Sequence, residues 1–219
     1  MTNGVAMAAS PTFGDITVQD IPGPTVAQKV VARAAASWPW FLVRGSGIVA
    51  AIALVLLMLS GIGQITGHTF RFLEPLTAWA SHRALGIIFG IAVLIHGAGL
   101  LFDTFVPFTL LQILVPWLSD YKPVTMAGIQ LGSLWVALGV LAFYGVALVI
   151  ITTLLWVEKK PHLWKWLHLL SYMLIVFVFV HALYLGTDLV SGWLRWAWII
   201  AGIAIAVASL YRLWRAKTI

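Results

Sequence analysis

Two histidines inside each of two long apolar stretches constrain this chain more than any other feature. The first stretch, SHRALGIIFGIAVLIHG, covers residues 81–97, with His82 near its start and His96 fourteen positions later. The second, WLHLLSYMLIVFVFVHALYLG, repeats the arrangement with His168 and His181, thirteen positions apart. Arg83 follows His82 directly; the other residues between the paired histidines are apolar, small or hydroxyl-bearing. Imidazole at membrane depth is costly to bury, so it marks a functional site that has a partner.

Composition agrees that these stretches lie in a membrane. Of the 219 residues, 62% are hydrophobic and 9% charged, and the mean hydropathy is +1.00. Such a chain falls outside the range of soluble domains. It has no cysteine. That excludes iron–sulfur clusters, disulfides and covalent cofactor attachment through a C-x-x-C-H motif. The formal net charge of +6 sits mostly at the ends of apolar stretches, where it suits anionic lipid or ligand carboxylates. No basic patch interleaved with aromatics lies outside them, which sets nucleic acid aside.

The expected fold is an all-α integral membrane bundle of about five transmembrane helices. Spans are expected at about 40–64, 79–102, 126–156, 164–186 and 192–213, each long enough for the roughly 20 residues a bilayer requires. The third exceeds that length and should tilt or protrude. Residues 1–37 read as a flexible, proline-bearing tail ending in a short, weakly amphipathic interfacial segment over 25–37. The first apolar run starts too late and is too long for a cleavable signal peptide, so it is expected to stay as an anchor. Residues 105–118, FVPFTLLQILVPWL, are apolar but short and interrupted by Pro107 and Pro116. They read as an interfacial or re-entrant cap. Most tryptophans fall near span ends, as an aromatic belt requires. With the N-terminus outside, eight cations (Arg71, Arg83, Lys159, Lys160, Lys165, Arg212, Arg215, Lys217) face the cytoplasm. Five (Lys29, Arg33, Arg44, Lys122, Arg195) then lie outside. That favours a plasma-membrane protein with its N-terminus out and C-terminus in.

One span separates the two histidine-bearing helices, so they run in the same direction. His82 and His168 then share one level and His96 and His181 the other, about 20 Å away along the axis. Each level can offer one imidazole to either face of a flat macrocycle, and two bis-histidine haems would satisfy all four. One mismatch stands out. Fourteen residues keep His82 and His96 on nearly one face, whereas thirteen turn His181 well away from His168 in a regular helix. Either the two haems are rotated or the fourth span carries a local bulge.

The pattern H-x13-H on one helix and H-x12-H on the next but one resembles the ferric-reductase-like transmembrane domain. That superfamily includes ferric-chelate reductases, NADPH oxidases and the haem subunit of bacterial methionine sulfoxide reductase. FLVRGSG at Arg44, SHRALG at His82, WKWLHLLSY at His168, HALYLGTD after His181 and VPWLSDYKP in the connection carry the rest of the likeness, over about residues 38–190. Lys165 stands where that pattern leads one to expect arginine. The resemblance implies two non-covalent b-type haems ligated by His82, His168, His96 and His181. Arg44 is a candidate partner for the outer haem's propionates, and Arg83 and Lys165 for the inner one's. His68 and His162 read as interfacial surface residues, and Asp103 and Asp188 as solvated loop carboxylates in preference to ligands of a metal-ion substrate on the outer side.

Gly45-Ser46-Gly47 and Gly61-Ile62-Gly63 lack the strand–turn–helix context of a phosphate loop, and in membrane helices such glycines allow close packing. No stretch has the length and polarity of a flavin or nicotinamide domain. The expected role is therefore that of an oxidoreductase component carrying electrons across the membrane, with a separate flavoprotein, reductase or quinol as donor. The acceptor would be external, such as ferric chelate. The rival reading is a quinone-reactive di-haem cytochrome b subunit of a larger respiratory or hydrogenase-type complex. A third is a histidine-lined proton transporter.

Overall fold

The structure, a computed structural model, describes residues 25–126 and 128–217. The chain divides into two compact units, 1–35 and 36–219. Of the first, residues 25–35 are described, and from Val26 they are helical. Thr25 and Gln28 cap that helix reciprocally, each side chain accepting from the other's backbone N–H. The segment expected to lie at the interface is thus the start of α1, Val26–Ile65.

Among the described residues, five helical segments are long and apolar enough to cross a membrane: Val26–Thr66, Pro75–Leu100, Leu134–Trp156, Pro161–Leu185 and Trp193–Arg215. These helices make the chain an integral membrane protein, and among the described residues all regular structure is helical but for one small hairpin. α2, Pro75–Leu100, starts on a proline, whose missing N–H costs nothing at a helix N-terminus. A short α3, Leu110–Leu114, is closed by a capping box between Thr109 and Gln112 and ends before Pro116. Strands β1, Val124–Met126, and β2, Ile129–Leu131, pair antiparallel around Gly128, which turns at φ 79°. α4 is Leu134–Trp156. The fourth span is two helices, α5, Pro161–His168, and α6, Ser171–Leu185. α7 is Trp193–Lys217.

The third span is shorter than its apolar run. The hairpin takes the first residues of that run, and Ser133 starts the helix by accepting the N–H of Val136 at 3.2 Å. Gly132 is required there because the Trp117 carbonyl packs where a Cβ would project. Residues 101–133 accordingly form a cap at one end of the bundle. It is tied down by the Tyr144 hydroxyl donating to the Leu114 carbonyl (2.8 Å) and Lys122 donating to the Tyr184 carbonyl (3.0 Å).

The core is narrow. Ala50, Ala53, Leu54 and Met58 of α1 meet Phe89 and Ala92 of α2, Ile175 of α6 and Ile205 of α7. Large apolar side chains such as Leu94, Val176 and Ile203 face outward, more than half exposed. In water that surface would aggregate, whereas in a bilayer it is the solvated face. α7 docks on α6 by stacking Trp198 on Phe179 (5.2 Å, 14°), with the indole N–H donating to the Phe179 carbonyl.

Candidate paired-histidine site

α1 and α2 run antiparallel, and two α1 glycines meet the two α2 histidines. A Cβ on Gly47 would stand 3.2 Å from His96 Nδ1, and one on Gly61 3.0 Å from His82 Cε1. The glycines are fourteen residues apart, as the histidines are. On α4, Gly139 does the same for His181, whose ring would lie 2.5 Å from a Cβ there. Each imidazole therefore rests against bare helix backbone.

That approach has a chemical purpose. Without a Cβ at position i+4, an imidazole can reach the carbonyl at position i. His96 Nδ1 bonds the Val43 carbonyl at 2.9 Å, four residues before Gly47. His181 Nδ1 bonds the Trp135 carbonyl at 2.8 Å, four residues before Gly139. A carbonyl only accepts, so both rings carry their proton on Nδ1 and present an unprotonated Nε2. His82 reaches Leu57, four residues before Gly61, through a relay. The Ser60 hydroxyl donates to the Leu57 carbonyl at 2.9 Å, which leaves its oxygen to accept from His82 Nδ1 at 2.9 Å. Three of the four histidines thus have the tautomer and orientation of a metal ligand, fixed by the outer hydrogen bond that such ligands need.

His168 is held differently. It packs against Trp164 (5.1 Å between ring centres), and its Nδ1 is buried without a hydrogen-bond partner among the described residues. It lies opposite His82, with ring centres 6.3 Å apart. Two imidazoles on opposite sides of one metal ion, with bonds of about 2 Å and about 1 Å more to each ring centre, give about 6 Å. At the cap end, His96 lies within electrostatic reach of His181. Among the described residues no group of three or more His, Cys, Asp or Glu gathers to hold a metal ion. The pair His82 and His168 is a donor set of the kind that suits a metal whose remaining ligands come with it, as in haem.

The thirteen-residue spacing is resolved by tightening, in place of a bulge. Between α5 and α6, three backbone bonds are of the i→i+3 kind: Leu170 to Leu167, Tyr172 to Leu169 and Met173 to Leu170 (2.9–3.2 Å). If about four steps advance by 120° and 2.0 Å, thirteen residues turn about 1380° and rise about 21.5 Å. Fourteen regular α-helical residues turn about 1400° and rise about 21 Å. The overwound span therefore matches α2 in both rotation and length.

The candidate cations are placed unevenly. Arg44 makes a two-point ion pair with Asp188 and lies over the Trp40 ring at 4.5 Å. Asp188 is thus a paired group just beyond α6 and no solvated loop carboxylate. Asp103 is largely buried and accepts the N–H of Phe105. Arg83 is exposed over Trp79 (5.5 Å), Lys165 is exposed on α5, and His68 and His162 are exposed as expected. Sequence reasoning missed Arg212, which donates to the Tyr172 hydroxyl and stands near His168.

Neither the family models, nor the curated proteins, nor the solved structures contain a match to this chain. Its reading rests on its own geometry.

Proposed function

We propose that this chain carries electrons across a membrane through two stacked, non-covalent b-type haems, as its resemblance to the ferric-reductase-like domain implies. The observation that carries this reading is the pair of imidazole levels, with His82 and His168 centred 6.3 Å apart. Haem, when bound, would supply one-electron chemistry. His82 and His168 would hold one haem, on the cytoplasmic side, and His96 and His181 the other. Val43, Trp135 and Ser60 keep three Nδ1 protons in place, so that Nε2 stays available and correctly aimed. Phe89 and Leu54, each midway between the two levels in sequence, exclude water between them. That apolar layer speaks against a proton path, which requires polar relays at the same depth.

The cap end is taken as external from the cation count, so electrons pass from a cytoplasmic-side donor to an outer acceptor such as ferric chelate. A quinol donor is favoured by one feature. A cavity of about 230 Å³ lined by Ile62, Thr66, His68 and Tyr211 backs onto the helical turn whose Ser60 and Gly61 carry His82.

Proteoliposomes with trapped dithionite and external ferric citrate test the proposal. Haem-loaded protein should reduce the external iron, and His96→Leu with His181→Leu should abolish the protein-dependent rate. Reduction no faster than in protein-free vesicles would overturn it.

A further inference from the structure

The cations at the His82 and His168 end of the bundle differ in what surrounds them. Arg83 and Lys165 are exposed, Arg83 over the Trp79 ring. Arg212, on α7, is partly buried. Its guanidinium lies over the Tyr172 ring at 5.1 Å, donates to the Tyr172 hydroxyl and stands within electrostatic reach of His168. Tyr172 follows His168 by four residues, in the tightened turn that joins α5 to α6. Arg215, three residues further along α7, donates to the Thr66 carbonyl at 3.1 Å.

A guanidinium removed from water requires a counter-charge. At the other end of the bundle Arg44 has one, because Asp188 takes two of its N–H groups. No carboxylate of the described residues pairs with Arg212. A guanidinium has five N–H donors, of which the Tyr172 hydroxyl takes one. That hydroxyl keeps its own proton to donate, and no acceptor for it lies among the described residues. Two adjacent donors, one of them cationic, suit a carboxylate. We infer that Arg212 and Tyr172 together bind a haem propionate at the His82 and His168 site, the role expected of Arg83 and Lys165. The inference rests on the di-haem reading above and deepens it, by naming what holds the ligand's charged edge.

Soret titration of the full chain carrying His96→Leu and His181→Leu, which keeps the inner pair alone, tests this with two ligands. One is iron protoporphyrin IX, and the other is its dimethyl ester, in which both propionates are uncharged. The chain should prefer the free acid about tenfold, as one charge-assisted contact at a partly exposed site provides. Arg212→Gln should erase that preference by weakening the acid alone, and Arg212→Lys should keep part of it. Tyr172→Phe should reduce it, whereas Arg83→Gln and Lys165→Gln should keep it whole. With all four histidines in place, Arg212→Gln should weaken one of two haems. Absence of any preference in the parent chain overturns the inference. So does a preference that survives Arg212→Gln, the result expected of an arginine that serves lipid headgroups. An equal loss for acid and ester also overturns it, since that marks a role in packing. A chain that binds neither ligand overturns the di-haem reading as well, and is told apart by the missing Soret band.

Discussion

Replacing Gly139 with alanine tests the backbone cradle most sharply. The added Cβ would stand 2.5 Å from His181 Nδ1 and Cε1 and 3.3 Å from its Cγ. Ordinary contact between such atoms is about 3.5–4.0 Å, so the ring must retreat by about 1 Å. The 2.8 Å bond to the Trp135 carbonyl cannot survive that shift. Overpacking of this kind costs about 1–3 kcal/mol, partly offset by up to about 1 kcal/mol because alanine suits a helix better than glycine. The larger effect falls on ligation, where losing the outer hydrogen bond should weaken metal binding about 10–100-fold. The structure also grades the series. Gly61→Ala, at 3.0 Å from His82, should disturb less, and Gly47→Ala, at 3.2 Å from His96, least of the three. Gly45→Ala meets nothing within 4 Å and serves as the control. The assay is haem per protein after washing, with thermal unfolding to separate folding from ligation. Equal haem retention in Gly139→Ala and Gly45→Ala would refute the idea that these glycines exist for the histidines.

Further outcomes follow from single contacts. Ser60→Ala should weaken the inner site alone, because it removes the group that accepts from His82 Nδ1; haem titration of the His181→Leu background reads this directly. Arg44→Gln and Asp188→Asn should each cost about 1 kcal/mol or less, the pair being partly exposed. Joining Arg44→Asp with Asp188→Arg should recover much of the loss in thermal unfolding. Cysteine placed at Asp120 should react with a membrane-impermeant thiol reagent in intact cells while cysteine at Glu158 does not, and the reverse pattern would invert the orientation. His181→Leu should remove the outer haem and spare the inner, since the two levels are a membrane leaflet apart.

What could be read from the sequence was periodicity. Five spans, the short apolar cap and the two histidine levels all follow from apolar length and the interval between like residues. The third span was expected too long because residues 126–131 are apolar, and hydropathy does not register the turn that Gly128 and Gly132 impose. Gly47, Gly61 and Gly63 were legible as close-packing positions, but not what they pack against, whereas Gly45, read the same way, meets nothing. The signal was present: Gly47 and Gly61 repeat the fourteen-residue interval of His82 and His96. The thirteen-residue interval signalled a local departure from α geometry, yet overwinding cannot be told from a bulge until backbone hydrogen bonds are seen. Arg44 illustrates the limit for charges. Its place near the outer histidines was legible, whereas its pairing with Asp188, 144 residues away, depends on tertiary packing.

The most direct measurement is the haem content of the purified full chain, taken with its absorbance and electron paramagnetic resonance spectra. Two b-type haems per chain, both low-spin with two nitrogen axial ligands when oxidised, are expected. A colourless protein, or one holding a single haem that survives loss of either histidine pair, would contradict the paired sites on which the proposed electron path depends.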